Sequence, residues 1–191
     1  MFFYLTTIIV CMAIICAFNI GFTTLDPWYI ILAVVINTVA VIVVDGIFAT
    51  IVRWLLPKKW FSEDKLWFSE SKKECSFYEK IGIKWWKDKV PELGMFTTTR
   101  KNKIAEPNNN EYVKGYIMEA NYGVVVHIAD VVFGFLIAFI YPLEFFVNFA
   151  LGVALVNAVL NFLPIFILRY NLRKLHRLYS LNERKNKKLK S

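Results

Sequence analysis

Four apolar blocks dominate the chain: residues 2–22, 28–55, about 121–141 and 143–168. Each is near or above the ~20 residues that a helix needs to cross a hydrocarbon core of about 30 Å. Backbone N–H and C=O groups cannot go unpaired in lipid, so blocks of this length must be helices. The expected fold class is therefore all-α: a polytopic membrane protein of four transmembrane helices. The hydrophobic share of 57% and the mean hydropathy of +0.46 exclude an ordinary soluble domain.

Charge orients the spans. The two short turns carry Asp26 and Glu144 and no Lys or Arg, while the 57–118 loop and the C-terminal tail hold nearly all the basic residues. By the positive-inside rule the loop and both termini face the cytoplasm of a multi-pass cell-membrane protein. The net charge of +8 is read against membrane lipids, and no nucleic-acid module is recognisable, so no nucleic-acid partner is expected. The first block has no basic segment before it and no small-residue cleavage site, so it is read as a span and not as a signal peptide. The organisation is a transmembrane hairpin over 1–56, a cytoplasmic loop region over 57–118, a second hairpin over 119–170 and a basic tail over 171–191. Cys11, Cys16 and Cys75 form neither a disulfide framework nor a zinc pattern.

The loop is more than a linker. Trp60-Phe61 recurs as Trp67-Phe68 seven residues later, on one helical face with charges between, which predicts an amphipathic helix at the membrane interface. The stretch from Tyr78 to Pro91 mixes aromatic and basic residues, as suits a headgroup or an anionic substrate. After the Asn108–Asn110 turn, one helix is expected over 111–141. The tail from Arg169 to Ser191 has nine basic residues and one acidic; its commoner meaning is topology or contact with anionic lipid.

Polar residues inside apolar spans are costly and mark function by default. Glu119, Gly123 and His127 fall at i, i+4 and i+8 on one helix face, and Asp130 is three residues past His127. Measured along each helix from its cytoplasmic end, Asp45, His127, Asp130 and Asn161 share a layer roughly 9–15 Å deep. A packing pair buried between helices is the plainer reading of His127 and Asp130, and bonding to neighbouring helices is the commoner role of Asn. A His beside a carboxylate is also a general base held in one tautomer. All serines outside the tail lie in the 57–118 loop, so the attacking group would be the substrate's own hydroxyl or amine. That arrangement suits direct acyl transfer: His127 as base, Asp130 and Glu119 beside it, Asp45 as an alternative orienting carboxylate. Lys84, Trp86, Lys87, Asn161, Arg169 and Asn171 are then the candidates to position donor or acceptor. No metal is expected, since the ligand-spacing signature is absent.

At these residues the chain resembles a known family. Glu119 and His127, the earlier block from Ile83 to Pro91 with Lys84, Trp85, Trp86 and Lys87, and the later Pro164 followed by Arg169-Tyr170-Asn171 occur in the same order in the glycosyl-4,4'-diaponeurosporenoate acyltransferase family. The resemblance covers about residues 60–178. It implies a small membrane enzyme of the staphyloxanthin pathway type, one that places a fatty acyl chain on the sugar of a glycosylated carotenoid acid. Where the family has Arg-Ala-Glu between the Glu and the His, this chain has Tyr122-Gly123-Val124, and Asp130 is the residue that can stand in for the missing acid. The departure favours a lipid or glycolipid acceptor in general over carotenoid chemistry in particular. The expected function is acyl transfer to a hydroxyl of such an acceptor, with no tightly bound cofactor and an acyl-CoA or acyl-carrier donor as co-substrate. A small lipid methyltransferase and a four-helix transporter or immunity protein are the alternatives. Oligomeric state is not indicated.

Overall fold

Helix starts are written into the sequence. The Asp26 carboxylate accepts hydrogen bonds from the backbone N–H groups of Trp28 and Tyr29 at 2.9 and 3.2 Å, an N-cap with Pro27 in the first helical position. Asn109 does the same for Glu111 and Tyr112 at 3.1 and 3.2 Å. In a computed structural model that describes residues 2–65, 68–69, 71–90 and 104–190, these caps open α2 (Pro27–Leu55) and α5 (Asn110–Ile140). The remaining helices are α1 (Phe2–Phe22), α3 (Lys72–Lys80), α4 (Ile83–Trp86), α6 (Leu143–Phe145) and α7 (Leu151–Lys190), with a π-helical turn, Phe146–Ala150, between the last two. Among the described residues there is no strand. Among the described residues, four helices are long and apolar enough to cross a membrane, as the apolar blocks predict.

The chain forms two compact units, Met1–Trp54 with Val126–Phe162, and Leu55–Val125 with Leu163–Ser191. In the first, Ile30, Val34 and Val41 of α2 pack with Phe149 and Val153, and with Met12 and Ile15 of α1. Ala138 of α5 meets Ala150 and Ala154; small side chains let helices approach closely where lipid supplies no hydrophobic drive for their association. The π-turn is used as well. A π-turn shifts the backbone hydrogen-bond register, and the Asn148 carbonyl here accepts the Asn19 amide of α1 at 2.7 Å. Outward-facing Ile9, Ile14, Phe18, Ile36 and Val43 are exposed, which suits a lipid-facing surface.

In the second unit Val113, Ile117, Ala120 and Val124 of α5 pack on Leu172 and Leu175 of α7. The apolar period therefore continues past the fourth span: the tail from residue 171 onward is helical to Lys190 and folded against α5. The stretch over 60–68 differs from the expected single helix. Lys58–Phe61 is a short 3-10 helix and Ser62 turns the chain into an extended conformation; Trp67 lies outside the described residues. Phe61 is held by two contacts: its ring stacks on Tyr122 at 3.9 Å and its carbonyl accepts the fully buried Asn121 amide at 2.9 Å. Fixing Phe61 in this way sets the chain path that a continuous helix would have to leave. Gly82, at φ +65°, supplies the left-handed residue between α3 and α4.

Ser71 caps α3 by accepting from the Glu74 N–H at 3.0 Å. The Glu74 side chain is committed elsewhere. The Arg169 guanidinium grips it with two bonds, Nε to Oε1 at 2.8 Å and Nη2 to Oε2 at 2.7 Å, and the Tyr78 hydroxyl donates to Oε1 at 2.6 Å. Partial burial works against the Glu74 charge, but the Arg169 and Tyr78 bonds outweigh it and hold the carboxyl below its usual range. A lowered carboxyl pKa contributes stability that is fully present above the unfolded value, about 4.5, and is lost as pH falls through the folded value. Glu74→Gln should therefore lower the melting temperature at neutral pH, by on the order of 1–3 kcal/mol of stability. It should also flatten the acid dependence below the ordinary glutamate range. A thermal melt series in detergent at neutral and acid pH reads both, and an unchanged wild-type acid slope in the variant would remove the pair from that role.

Candidate active site

The site is assembled from helix positions one turn apart. Asn157 and Asn161 lie at i and i+4 on α7, and His127 and Asp130 at i and i+3 on α5. Room for the asparagines is made by Gly134: a Cβ there would come within 2.6 Å of the Asn157 amide nitrogen. Asn157 donates to the Asp130 backbone carbonyl at 3.1 Å. Asn161 donates through Nδ2 to the Asn157 carbonyl at 3.0 Å and to its side-chain oxygen at 2.9 Å. A backbone carbonyl can only accept, so the Asn161 amide cannot be turned the other way round.

This fixes the imidazole. The Asn161 Oδ1 faces His127 Nδ1 at 2.7 Å, and since that oxygen can only accept, Nδ1 carries the proton. Nε2 is then the nitrogen with a lone pair for proton transfer. Asp130, one of the two acids expected to orient His127, stands 3.9 Å from Nδ1, beyond hydrogen-bond length. The orienting contact is made by Asn161. The reason is geometric: residues i and i+3 put the two Cβ atoms on neighbouring positions without aiming the acid along the ring nitrogen, whereas Asn161 approaches from another helix. The His127 side chain keeps 27% exposure against 5% for Asp130, so the imidazole is the more reachable of the two.

Two carboxylates border this set. Asp45 of α2 comes to the Asn157 and Asn161 amides, and Tyr4 of α1 is close enough to feel both Asp45 and Asp130. One oxygen of each carboxylate, Oδ1, is buried without a hydrogen-bond partner. Asp45 and Asn157 also line a cavity of about 40 Å³ with Tyr4, Cys11, Met12 and Thr38. That volume admits a few water-sized groups and is no tunnel for an acyl chain. Among the described residues no group of three or more His, Cys, Asp or Glu is placed to hold a metal ion.

His127, Asp130, Asp45 and Asn161 thus all lie in the first unit, while Glu119, Lys84, Trp86, Lys87, Arg169 and Asn171 belong to the second. Lys84 is exposed, and Glu119 and Asn171 are half-buried. Lys87 pairs with Asp88 at 2.9 Å. Trp86 has a packing role: its indole N–H donates to the Ile81 carbonyl at 3.0 Å and its ring joins Tyr78, Ile83 and Tyr170. The exposed indole is that of Trp85, with the Lys89 ammonium 3.4 Å above it. The Arg169 fork, expected to bind a donor phosphate, is engaged by Glu74. Gly123 admits Leu168 of α7, whose Cδ1 would lie 2.8 Å from a Cβ there; the shared face of Glu119, Gly123 and His127 is in part a helix-packing face. Asn157 was legible only as a helix-bonding residue. Its spacing of four from Asn161 was the available signal.

The arrangement is thus a set of helices apolar enough to cross a membrane, one of which carries a histidine whose tautomer is fixed by Asn161. Residues 57–181, about two thirds of the chain, match the glycosyl-4,4'-diaponeurosporenoate acyltransferase family, and the chain belongs to that family. It is therefore placed with acyltransferases named for a step of carotenoid synthesis. His127, Asp130, Asn157 and Asn161 fall inside the matched residues; Tyr4 and Asp45 lie outside them. Neither a curated protein nor a solved structure matches the chain.

Proposed function

We propose that the protein transfers a fatty acyl group to a hydroxyl of a glycolipid or related lipid acceptor, with His127 as general base. The observation that carries the reading is the Asn161–His127 contact, which commits Nδ1 and leaves Nε2 to take a proton. In the reaction, the acceptor oxygen attacks the carbonyl carbon of an acyl thioester as Nε2 removes the hydroxyl proton. The thiolate leaves as the C–S bond breaks, and the imidazolium returns the proton to it. No enzyme nucleophile is needed. Asp130 borders the imidazole at 3.9 Å from Nδ1, and the Asn161 oxygen keeps its bond to Nδ1–H while the proton is held on Nε2. Family membership supports acyl transfer as the reaction. The donor, an acyl-CoA or acyl-carrier thioester, would come from the cytoplasm, the side to which basic-residue asymmetry assigns the second unit's loop and both termini.

Lipid mass spectrometry of cells with the wild-type protein, with His127→Gln and with no protein tests this. The expected result is a species one acyl chain heavier than its precursor in the wild type alone. A gain the size of a methyl group, or identical lipids in all three, would overturn the reading.

A further inference from the structure

The C-terminal part of α7 is folded against the rest of its unit. Leu172, Leu175 and the flanking Leu168 and Tyr179 bury one side of it against α5, and Asn182 reaches the Pro107 carbonyl at 2.7 Å. Glu183, the single acid beyond Arg169, is drawn to Asn110 at 2.9 Å. At about 100° per residue, Arg173, Arg177 and Arg184 fall within an arc of roughly 40° on the side opposite the buried leucines, with Lys174 and Lys185 on one flank. All five are exposed. Folding thus turns the one acid of this segment toward Asn110 of α5 and presents a rigid basic face.

Its reach decides what it binds. The apolar run of the fourth span ends at Leu168, and α7 continues without a break to Lys190. From Leu168, Arg173 is about 7 Å along the axis and Lys185 about 25 Å. A headgroup layer is only about 5–8 Å deep on each side of the hydrocarbon core, so most of the stripe passes beyond lipid reach. From Arg173 to Lys185 it runs roughly 18 Å, longer than the phosphates of one nucleotide would engage and suited to an extended acidic surface.

We infer that this face of α7 is a docking surface for the acidic face of an acyl-carrier protein. The inference rests on the acyl-transfer reading and names its donor: the carrier would deliver the acyl thioester, and electrostatic complementarity would set its encounter rate and orientation.

The test is direct binding without turnover. Full-length protein in neutral nanodiscs is titrated with fluorescent palmitoyl-acyl-carrier protein, and in parallel with palmitoyl-CoA and with vesicles containing phosphatidylglycerol. The wild type should bind the carrier with an affinity that falls steeply with salt. Arg173→Glu/Arg177→Glu/Arg184→Glu should lose carrier affinity by at least about tenfold, with palmitoyl-CoA and vesicle binding unchanged. These positions are exposed and Glu is as good a helix former as Arg, so an unchanged melting temperature confirms the fold. A variant with three Lys in their place should retain binding, which separates charge from side-chain packing. Carrier binding that is absent in the wild type, or equal in the charge-reversed protein, overturns the inference; so does loss confined to vesicles or to palmitoyl-CoA. Because no product is read, a carrier-binding protein that acylates nothing would sink the reaction and leave the surface standing.

Discussion

His127→Gln should leave the protein expressed, inserted and able to bind its lipid acceptor, and should lower acyl transfer by a factor of roughly 10²–10⁴, the usual range for loss of a general base. Glutamine is a demanding substitute. Its amide can donate to the Asn161 oxygen as Nδ1 does, so the local hydrogen bond is kept, but it cannot accept a proton near neutral pH. If His127 were only a buried packing residue, its loss would act through stability, at about 1–3 kcal/mol for an unmade hydrogen bond, and would appear in the melt and in expression. The two outcomes separate cleanly when turnover and melting temperature are measured on the same preparation. Full activity in a normally melting His127→Gln would end the catalytic assignment. Partial activity with a depressed melt would make the residue structural.

The apolar blocks were easy to read because a bilayer leaves the backbone no alternative. A block of about twenty apolar residues must pair its own N–H and C=O groups, and the predicted spans at 2–22 and 28–55 coincide with α1 and α2 to within a residue. The loop was harder. Trp60-Phe61 and Trp67-Phe68 repeat at helical spacing, yet Phe61 is claimed by Tyr122 and Asn121 sixty residues away, and long-range contacts of that kind override a local period. The helical packing of the tail was hidden for a related reason. Nine basic residues hide the weaker pattern of Leu168, Leu172, Leu175 and Tyr179, which only gains meaning once α5 is there to receive it.

The polar residues of the spans show the same division. Periodicity and depth brought Asp45, His127, Asp130 and Asn161 into one candidate layer, and the structure puts them in one unit. Which of them touches the imidazole was not legible. Sequence spacing put Asp130 beside His127 and depth put Asp45 level with it, so either acid could be the orienting group. The direction of the Asn161 amide depends on Asn157, and the place of Asn157 depends on the missing Cβ of Gly134. Each of these is a contact between helices or a turn within one, and none leaves a trace in composition. Arg169 carries a parallel lesson: its position at the end of the fourth span suggested an anion site, but the anion it holds is Glu74 of its own chain.

Asn161→Leu is the second variant expected to have a large effect, on the order of 10²-fold in turnover, because it removes the acceptor that keeps the proton on Nδ1. Leucine has the branching and heavy-atom count of asparagine and suits an apolar span, but its methyl groups are bulkier than the amide at a buried site, so the melting temperature is measured beside turnover. What is lost is the orientation of the ring and the bond to Asn157. Without that acceptor the imidazole can place its proton on Nε2, the nitrogen that must be unprotonated to accept one. Asn161 acts through His127, so its signature is a fall in kcat with little change in KM for the acceptor. A residue that bound the acceptor directly would raise KM instead. Asn161→Asp supplies the control: a carboxylate again offers an oxygen to Nδ1–H and should recover much of the turnover that leucine loses, although it cannot donate to the Asn157 carbonyl. Equal activity in the leucine and aspartate variants, or a defect confined to KM, would show that the contact at 2.7 Å holds helices together and does not set the tautomer.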